Sequence, residues 1–450
     1  MNRSDLSIEC TPALEDAPQA AVTSRWVSAL LGDFTWTLFG NGVFAACQWG
    51  IIIVLAKLLT AVAVGQYSLG QAILAPTLMF AAFQLRAVIA SDLKGQFTTH
   101  EYFGFRLITL TAGLSLAILI GFVTTRSVLQ TEIVAVIGLI QFCEQTSDTL
   151  YGFLQRRGNL VRPALSMILK GPVGLLALTL TLYWTRNILA GLIALLVTRI
   201  ALLGAYDLSG ALRDSISASN AASGYFAWRR HFQLLKVVFF VGLMTMLIAL
   251  VGMIPRYFVE YYCGERELGV YGALSSLISI GLLPIGALGL AAFVPLARAF
   301  ANGLSHDFLK ILGLLVSLSF GIGISGLTVA YFAGPQVLSL LFRPEYGEYA
   351  HLFVWIMIVG AVMFTTASLG ASLTAARIYR PQVVLLAFVA LTEAAGCWVL
   401  TPRFGLMGAV WSCLGAGIVQ FAGTAVILYM RFPRRSTVTL AADLQNEPAI

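Results

Sequence analysis

Residues 36–92 read WTLFGNGVFAACQWGIIIVLAKLLTAVAVGQYSLGQAILAPTLMFAAFQLRAVIASD. Two apolar runs stand here, Trp36–Leu58 and Ser68–Ala90, joined by the more polar Ala63-Val64-Gly65-Gln66-Tyr67. Each run is roughly 23 residues, or about 35 Å of helix, enough to cross a hydrocarbon core. A soluble domain of this size has no place for such runs unless they are buried on every side. The pair therefore reads as a transmembrane hairpin with a hinge at Gly65-Gln66-Tyr67.

Composition extends that reading to the whole chain. Of 450 residues, 58% are hydrophobic and 11% charged, whereas soluble domains carry about 25% charge. The net charge of +7 is no nucleic-acid signal in such a chain, because basic residues of membrane proteins collect in cytoplasmic loops. The six cysteines are scattered without CxxC spacing, so neither a disulfide framework nor a metal site is expected. No phosphate-binding loop, HExxH helix or GxSxG elbow appears, so no catalytic residue or cofactor is assigned.

About twelve apolar spans follow one another: 36–58, 68–90, 103–122, 131–154, 163–184, 187–208, 234–256, 268–297, 308–333, 349–373, 381–400 and 405–430. With the N-terminus inside, most of the 28 Lys and Arg residues fall in inside loops; Lys57, Arg126, Arg186, Arg256, Arg266, Arg343 and Arg403 fall outside. Both termini are expected in the cytoplasm. Residues 1–34 and 431–450 read as polar tails, the former without a signal peptide.

The chain also repeats itself. Gly65-Gln66-Tyr67 is echoed by Gly269-Val270-Tyr271, each ahead of a proline (Pro76, Pro284), and Arg162-Pro163 by Arg380-Pro381. The expected architecture is an all-α polytopic membrane protein. About twelve helices form two six-helix lobes, 35–208 and 233–430, around a central cavity, joined by a cytoplasmic loop at 209–232. Pro76 and Pro284 interrupt helical hydrogen bonding and are candidate hinges.

A charge within the bilayer costs about 2.5–3.5 kcal/mol on insertion scales, so each one needs a reason. Gln141, Glu144, Gln145 and Asp148 share one face of the fourth span. They either bond neighbouring helices or line a cavity with titratable carboxylates. Lys170, at a depth similar to that of Asp148, either pairs with it or faces the cavity and binds an anion. Arg199 lies inside the sixth span, Glu393 near the middle of the eleventh and Gln48 mid-depth in the first. Arg86, Arg106 and Arg298 sit at inner span ends, where they either snorkel to headgroups or contact cargo.

Phe39-Gly40-Asn41, Gln48-Trp49, Leu55-Ala56-Lys57-Leu58, Val64-Gly65-Gln66-Tyr67, Ala75-Pro76 and Gln84-Leu85-Arg86, with the late Phe404-Gly405-Leu406-Met407-Gly408-Ala409, resemble the Wzx-type polysaccharide exporters. These are O-antigen and exopolysaccharide flippases of the multidrug/oligosaccharidyl-lipid/polysaccharide exporter (MOP) superfamily. The resemblance implies alternating access in a bacterial inner membrane, a polyprenyl-diphosphate-linked glycan as cargo, and polysaccharide-assembly proteins as further partners. It reaches the opening hairpin, including Arg86, and not Glu144 or Lys170. The residues themselves add a consistent chemistry. Arg86, Arg106, Lys170 and Arg199 lie where a diphosphate would load, with Gln48 beside them. Glu144, Asp148 or Glu393 are positioned to couple a proton or sodium gradient. The competing readings are a cation-coupled small-molecule or drug antiporter of the same superfamily, and a membrane enzyme of polysaccharide assembly.

Overall fold

The computed structural model describes residues 19–92, 95–124, 127–209, 228–376 and 378–431, with side chains from residue 35 onward. The rest of the expected tails and most of the inter-lobe loop lie outside the described residues. The expected tail 1–34 is helical from Gln19 on.

The chain is a succession of long helices: α1 (Gln19–Leu58), α2 (Ala61–Ala82), α3 (Leu85–Ser91), α4 (Thr99–Thr124), α5 (Val128–Arg156), α6 (Val161–Thr185) and α7 (Ile188–Leu202). There follow α8 (Trp228–Cys263), α9 (Glu265–Ala301), α10 (Ser305–Leu341), α11 (Ala350–Ala375), α12 (Tyr379–Phe404) and α13 (Leu406–Arg431). Among the described residues they make 12 helical segments long and apolar enough to cross a membrane, so this is a multi-pass membrane protein. α2 and α3 form one span, broken where Phe83 and Gln84 adopt the left-handed conformation (φ 49° and 50°). α7 closes in a π-helical turn, Leu203–Leu208.

The opening hairpin turns at Leu59–Thr60, ahead of the expected hinge. Gly65-Gln66-Tyr67 lies inside α2 and Gly269-Val270-Tyr271 inside α9. Their glycines do different work. A Cβ on Gly65 would strike the carbonyl of Glu265, and one on Gly269 would strike that of Ala61. The two repeats thus meet each other backbone to backbone, an approach that only residues without a side chain permit. Both prolines lie within helices that continue through them. Pro76 deprives the Ala72 carbonyl of its usual donor; the Tyr257 hydroxyl of α8 donates to it instead (2.5 Å).

Two ends of the bundle differ. At the end marked by Thr60 and Gly264, residues of both halves share one apolar core, with Leu55, Val64 and Tyr67 packed among Leu268, Tyr271 and Leu274. Hydrogen bonds tie the halves there, Gln66 Nε2 to Glu265 (3.1 Å) and Arg343 Nη2 to the Lys57 carbonyl (3.1 Å), and deeper in the bundle Trp49 Nε1 donates to Ser276 (3.2 Å). At the other end, called here the basic end, the cores separate. Phe83, Ile89, Tyr102 and Phe153 form one; Leu296, Phe308, Leu373 and Leu428 form another. The halves are joined at one end and part toward the other. α8 links them: Leu234 and Val238 near its start join the first half's core, while Ile254 packs with Ala390 and Cys397 of α12.

Candidate functional site

Between the halves lies a cavity of about 760 Å³, walled by α1, α2, α5, α7, α8 and α9. That size suits a bound organic molecule. α5 turns Gln141, Glu144 and Gln145 into it, beside Gln48 of α1, Tyr67 and Gln71 of α2, Arg256 of α8, and Ser276 and Ser279 of α9. The helical spacing of the α5 residues therefore aims them into a cavity.

Gln48 of α1 donates Nε2–H to Glu144 (3.0 Å), and Gln141 to Gln71 (2.6 Å); Gln71 in turn donates to the Tyr67 hydroxyl (2.9 Å). Glu144 also meets Arg199 Nε at 3.1 Å, a charge contact rather than an aligned hydrogen bond. Arg199 is buried over the Phe44 ring and donates through Nη1 to the Lys170 carbonyl (2.7 Å). Its charge is thus spent behind the cavity wall.

The other expected cations are likewise engaged. Lys170, only 3% exposed, forms an ion pair with Asp207 and donates to Ser147 (2.5 Å) and Tyr151 (3.0 Å). Its partner is Asp207 rather than the expected Asp148. Asp207 stands on the π-helical turn and accepts from Ser166 (2.6 Å). Asp148 is taken by Arg86 (3.1 Å), which also donates to Gln155 (3.2 Å) and sits over Tyr151. Arg106 does not snorkel. It is 1% exposed and donates to Thr149 (2.5 Å) and to the Ala82 carbonyl (2.8 Å). That carbonyl ends α2 and has no helical partner, so Arg106 caps the break at Phe83–Gln84.

Two features escaped the sequence reading, one in the cavity and one behind its wall. Arg256, expected in an outer loop, lies inside α8 and lines the cavity. The apolar span ends there by pattern, but Tyr257–Cys263 contains no helix breaker, and α8 continues through it. Arg256 is surrounded by Tyr67, Tyr257 and Tyr271. Its Nη1 reaches only the Met253 sulfur (3.1 Å), and its Nε has no acceptor. Among the described residues no ion pair engages it. The second feature is Asp207. A lysine as deep as Lys170 demands a carboxylate, and Asp207 is the one acidic residue in the run 187–208.

Glu393 stands alone in the second half. It is 3% exposed, and Oε2 has no partner. The Cys413 thiol is within hydrogen-bond reach of it and of Tyr271 (3.5 Å), which makes a short polar chain from Glu393 toward the Arg256 cluster.

The three-dimensional arrangement has known counterparts. An inward-facing multidrug-resistance MATE transporter of the MOP superfamily superposes with a TM-score of 0.65 over 86% of this chain and 94% of that one, at 14% identity. The chain has the fold of the MOP-superfamily transporters. Its outward-facing MATE counterpart gives 0.61 over 89% of this chain and 96% of that one, at 14% identity. So does a MOP-superfamily transporter from Pyrococcus furiosus described by the reverse polarity of its binding pocket, at 16% identity over 89% and 95%. In sequence, the chain is 23% identical over 415 residues to the capsular polysaccharide biosynthesis protein CapF of Staphylococcus aureus, covering 90% of this chain and all of that protein. No family model matches.

Proposed function

We propose that this protein is a carrier, not an enzyme, that moves a polyprenyl-diphosphate-linked oligosaccharide across a bacterial inner membrane by alternating access. Both termini lie in the cytoplasm in this reading, and the cargo loads from the basic end. The observation that carries the reading is Arg256, a guanidinium engaged by no ion pair among the described residues, in a cavity whose other polar groups are four glutamines, Tyr67, two serines and Glu144, the last already paired with Arg199. A neutral sugar is recognised by amides and hydroxyls; a diphosphate is recognised by a guanidinium fork. Gln48, Gln71, Gln141 and Gln145 supply the first, Arg256 the second. The relation to a capsular polysaccharide biosynthesis protein supports the same cargo class. A cationic drug would face the Arg256 charge unfavourably, which disfavours the antiporter reading.

Glu393 is the carboxylate best placed for ion coupling, being buried and half unpartnered. Glu144 and Asp148 already neutralise Arg199 and Arg86. The test is translocation of a fluorescent polyprenyl-diphosphate saccharide by protein in proteoliposomes. Wild type is expected to move it, and Arg256→Ala to lose the activity while remaining folded. Absence of movement by the wild type sinks the cargo assignment. Unimpaired movement by Arg256→Ala sinks the role of Arg256.

A further inference from the structure

A second cavity, a lateral groove of about 730 Å³, lies between α2, α4 and the first half of α8. Its walls are apolar: Phe80, Ala81, Ile108, Ala112, Leu116 and Leu235. Leu116 and Phe232 are exposed along it, on helices that cross the membrane, so the groove opens to lipid. α2 separates it from the central cavity, with Ala75 and Met79 on the cavity side and Pro76, Thr77 and Phe80 on the groove side. The wall is tight. Gly242 of α8 has no room for a Cβ against Phe83, and the Thr245 hydroxyl donates to the Met79 carbonyl (3.3 Å).

The hydroxyls of Thr77 and Thr109 in the groove donate to carbonyls of their own helices, and its charged and imidazole groups lie at one end, where α8 begins with Trp228, Arg229 and His231. His231 is 5% exposed, and neither ring nitrogen has a hydrogen-bond partner. Its neighbours are the rings of Phe105 and Trp228, centroids 6.1 and 6.4 Å away. A buried imidazole without a partner is unfavourable unless a ligand supplies one. Arg230 is already paired with Glu101 (3.2 Å), which leaves Arg229 as the available positive charge. Trp228, 70% exposed, marks the headgroup level, where tryptophan collects.

We propose that this groove holds one acyl chain of an anionic diacyl phospholipid, with its phosphate received by Arg229 and the His231 imidazole. The charge complementarity is at the headgroup and the shape complementarity in the groove. The groove does not communicate with the cavity, so the occupant is a resident lipid rather than the tail of a cargo held at Arg256. It would fix the start of α8, the helix that links the two halves.

The test is native mass spectrometry of the full-length protein in detergent with phosphatidylglycerol and phosphatidylcholine of identical chains. Phosphatidylglycerol is expected to bind more tightly. Arg229→Ala, an exposed position, should weaken it about fivefold, the effect of one basic residue near an anionic lipid, and leave phosphatidylcholine unchanged. Ala112→Trp, which fills the apolar end, should reduce both. Equal binding of the two lipids, or phosphatidylglycerol binding unmoved by either variant, overturns the proposal. Preferential binding of a polyprenyl phosphate that Ala112→Trp abolishes assigns the groove to that chain and also overturns it. None of these outcomes depends on what the central cavity carries.

Discussion

The two halves of the chain differ in how they hold their charges. Inside the first half lie Arg86, Arg106, Glu144, Asp148, Lys170, Arg199 and Asp207, and each has a partner. The spans of the second half place two charges deep in the molecule, Arg256 and Glu393, and neither is paired with an opposite charge among the described residues. Buried ion pairs set position and are costly to break; a lone buried charge is tolerated for a task. The crowded half therefore builds the scaffold, and the sparse half holds the two charges that the proposed transport would use.

Breaking one pair in the first half should give the largest stability loss. Lys170→Met leaves Asp207 uncompensated and is expected to cost about 3–5 kcal/mol, read as a fall in the thermal unfolding midpoint in detergent. Lys170→Met with Asp207→Leu should recover most of it. A single variant as stable as wild type would remove the scaffold role from this half.

Gly65→Val comes next, at about 1–3 kcal/mol or more for overpacking, because the new side chain meets the Glu265 carbonyl. Cysteine accessibility at Gln66 should rise as the joined end is forced apart; unchanged accessibility and stability would show that the contact is dispensable. Arg256→Ala should behave in the opposite way, with transport lost at least tenfold and stability changed by less than about 1 kcal/mol, and Arg256→Lys should restore part of the activity. A collapse in folded protein instead would make Arg256 scaffold and erase the contrast between the halves.

The smallest effect concerns Asp92, in the loop after α3. Burial pushes its carboxyl up, but the Gln96 and Phe97 amides and the Tyr102 hydroxyl outweigh this and hold it below the ordinary carboxylate value. A depressed folded value means that its contribution is present above the unfolded value, about 3.9, and fades as pH falls through the folded one. Asp92→Asn should therefore be slightly less stable than wild type at neutral pH, with the gap closing under acid. A gap that persists at low pH would assign the loss to geometry rather than charge.

Much of the fold was legible because spans are long, apolar and continuous, and the bilayer leaves a helix little alternative. The polar face of α5 was legible for a similar reason: Gln141, Glu144 and Gln145 recur at helical spacing, and a helix keeps them on one side. The ion pairs were not. Lys170 and Asp148 matched in depth, yet the π-helical turn swings Asp207 into that place and leaves Asp148 to Arg86. A change in helical pitch over a few residues is invisible to a depth argument. Arg256 was misplaced because hydropathy drops at its own charge, and a span that tolerates an arginine in a cavity looks from its composition like a span that has ended.

The repeated Gly-x-Tyr shows where each kind of information stops. Sequence alone determined that the chain crosses a membrane many times and that its halves echo one another, since hydrophobic length and periodicity are local properties. It also marked Gly65 and Gly269 as matching positions. Only the tertiary structure decided that these glycines touch rather than bend, that seven charges in the first half neutralise each other or cap the backbone, and that Arg256 does not. Partnering depends on which helices become neighbours, and packing across the whole chain settles that.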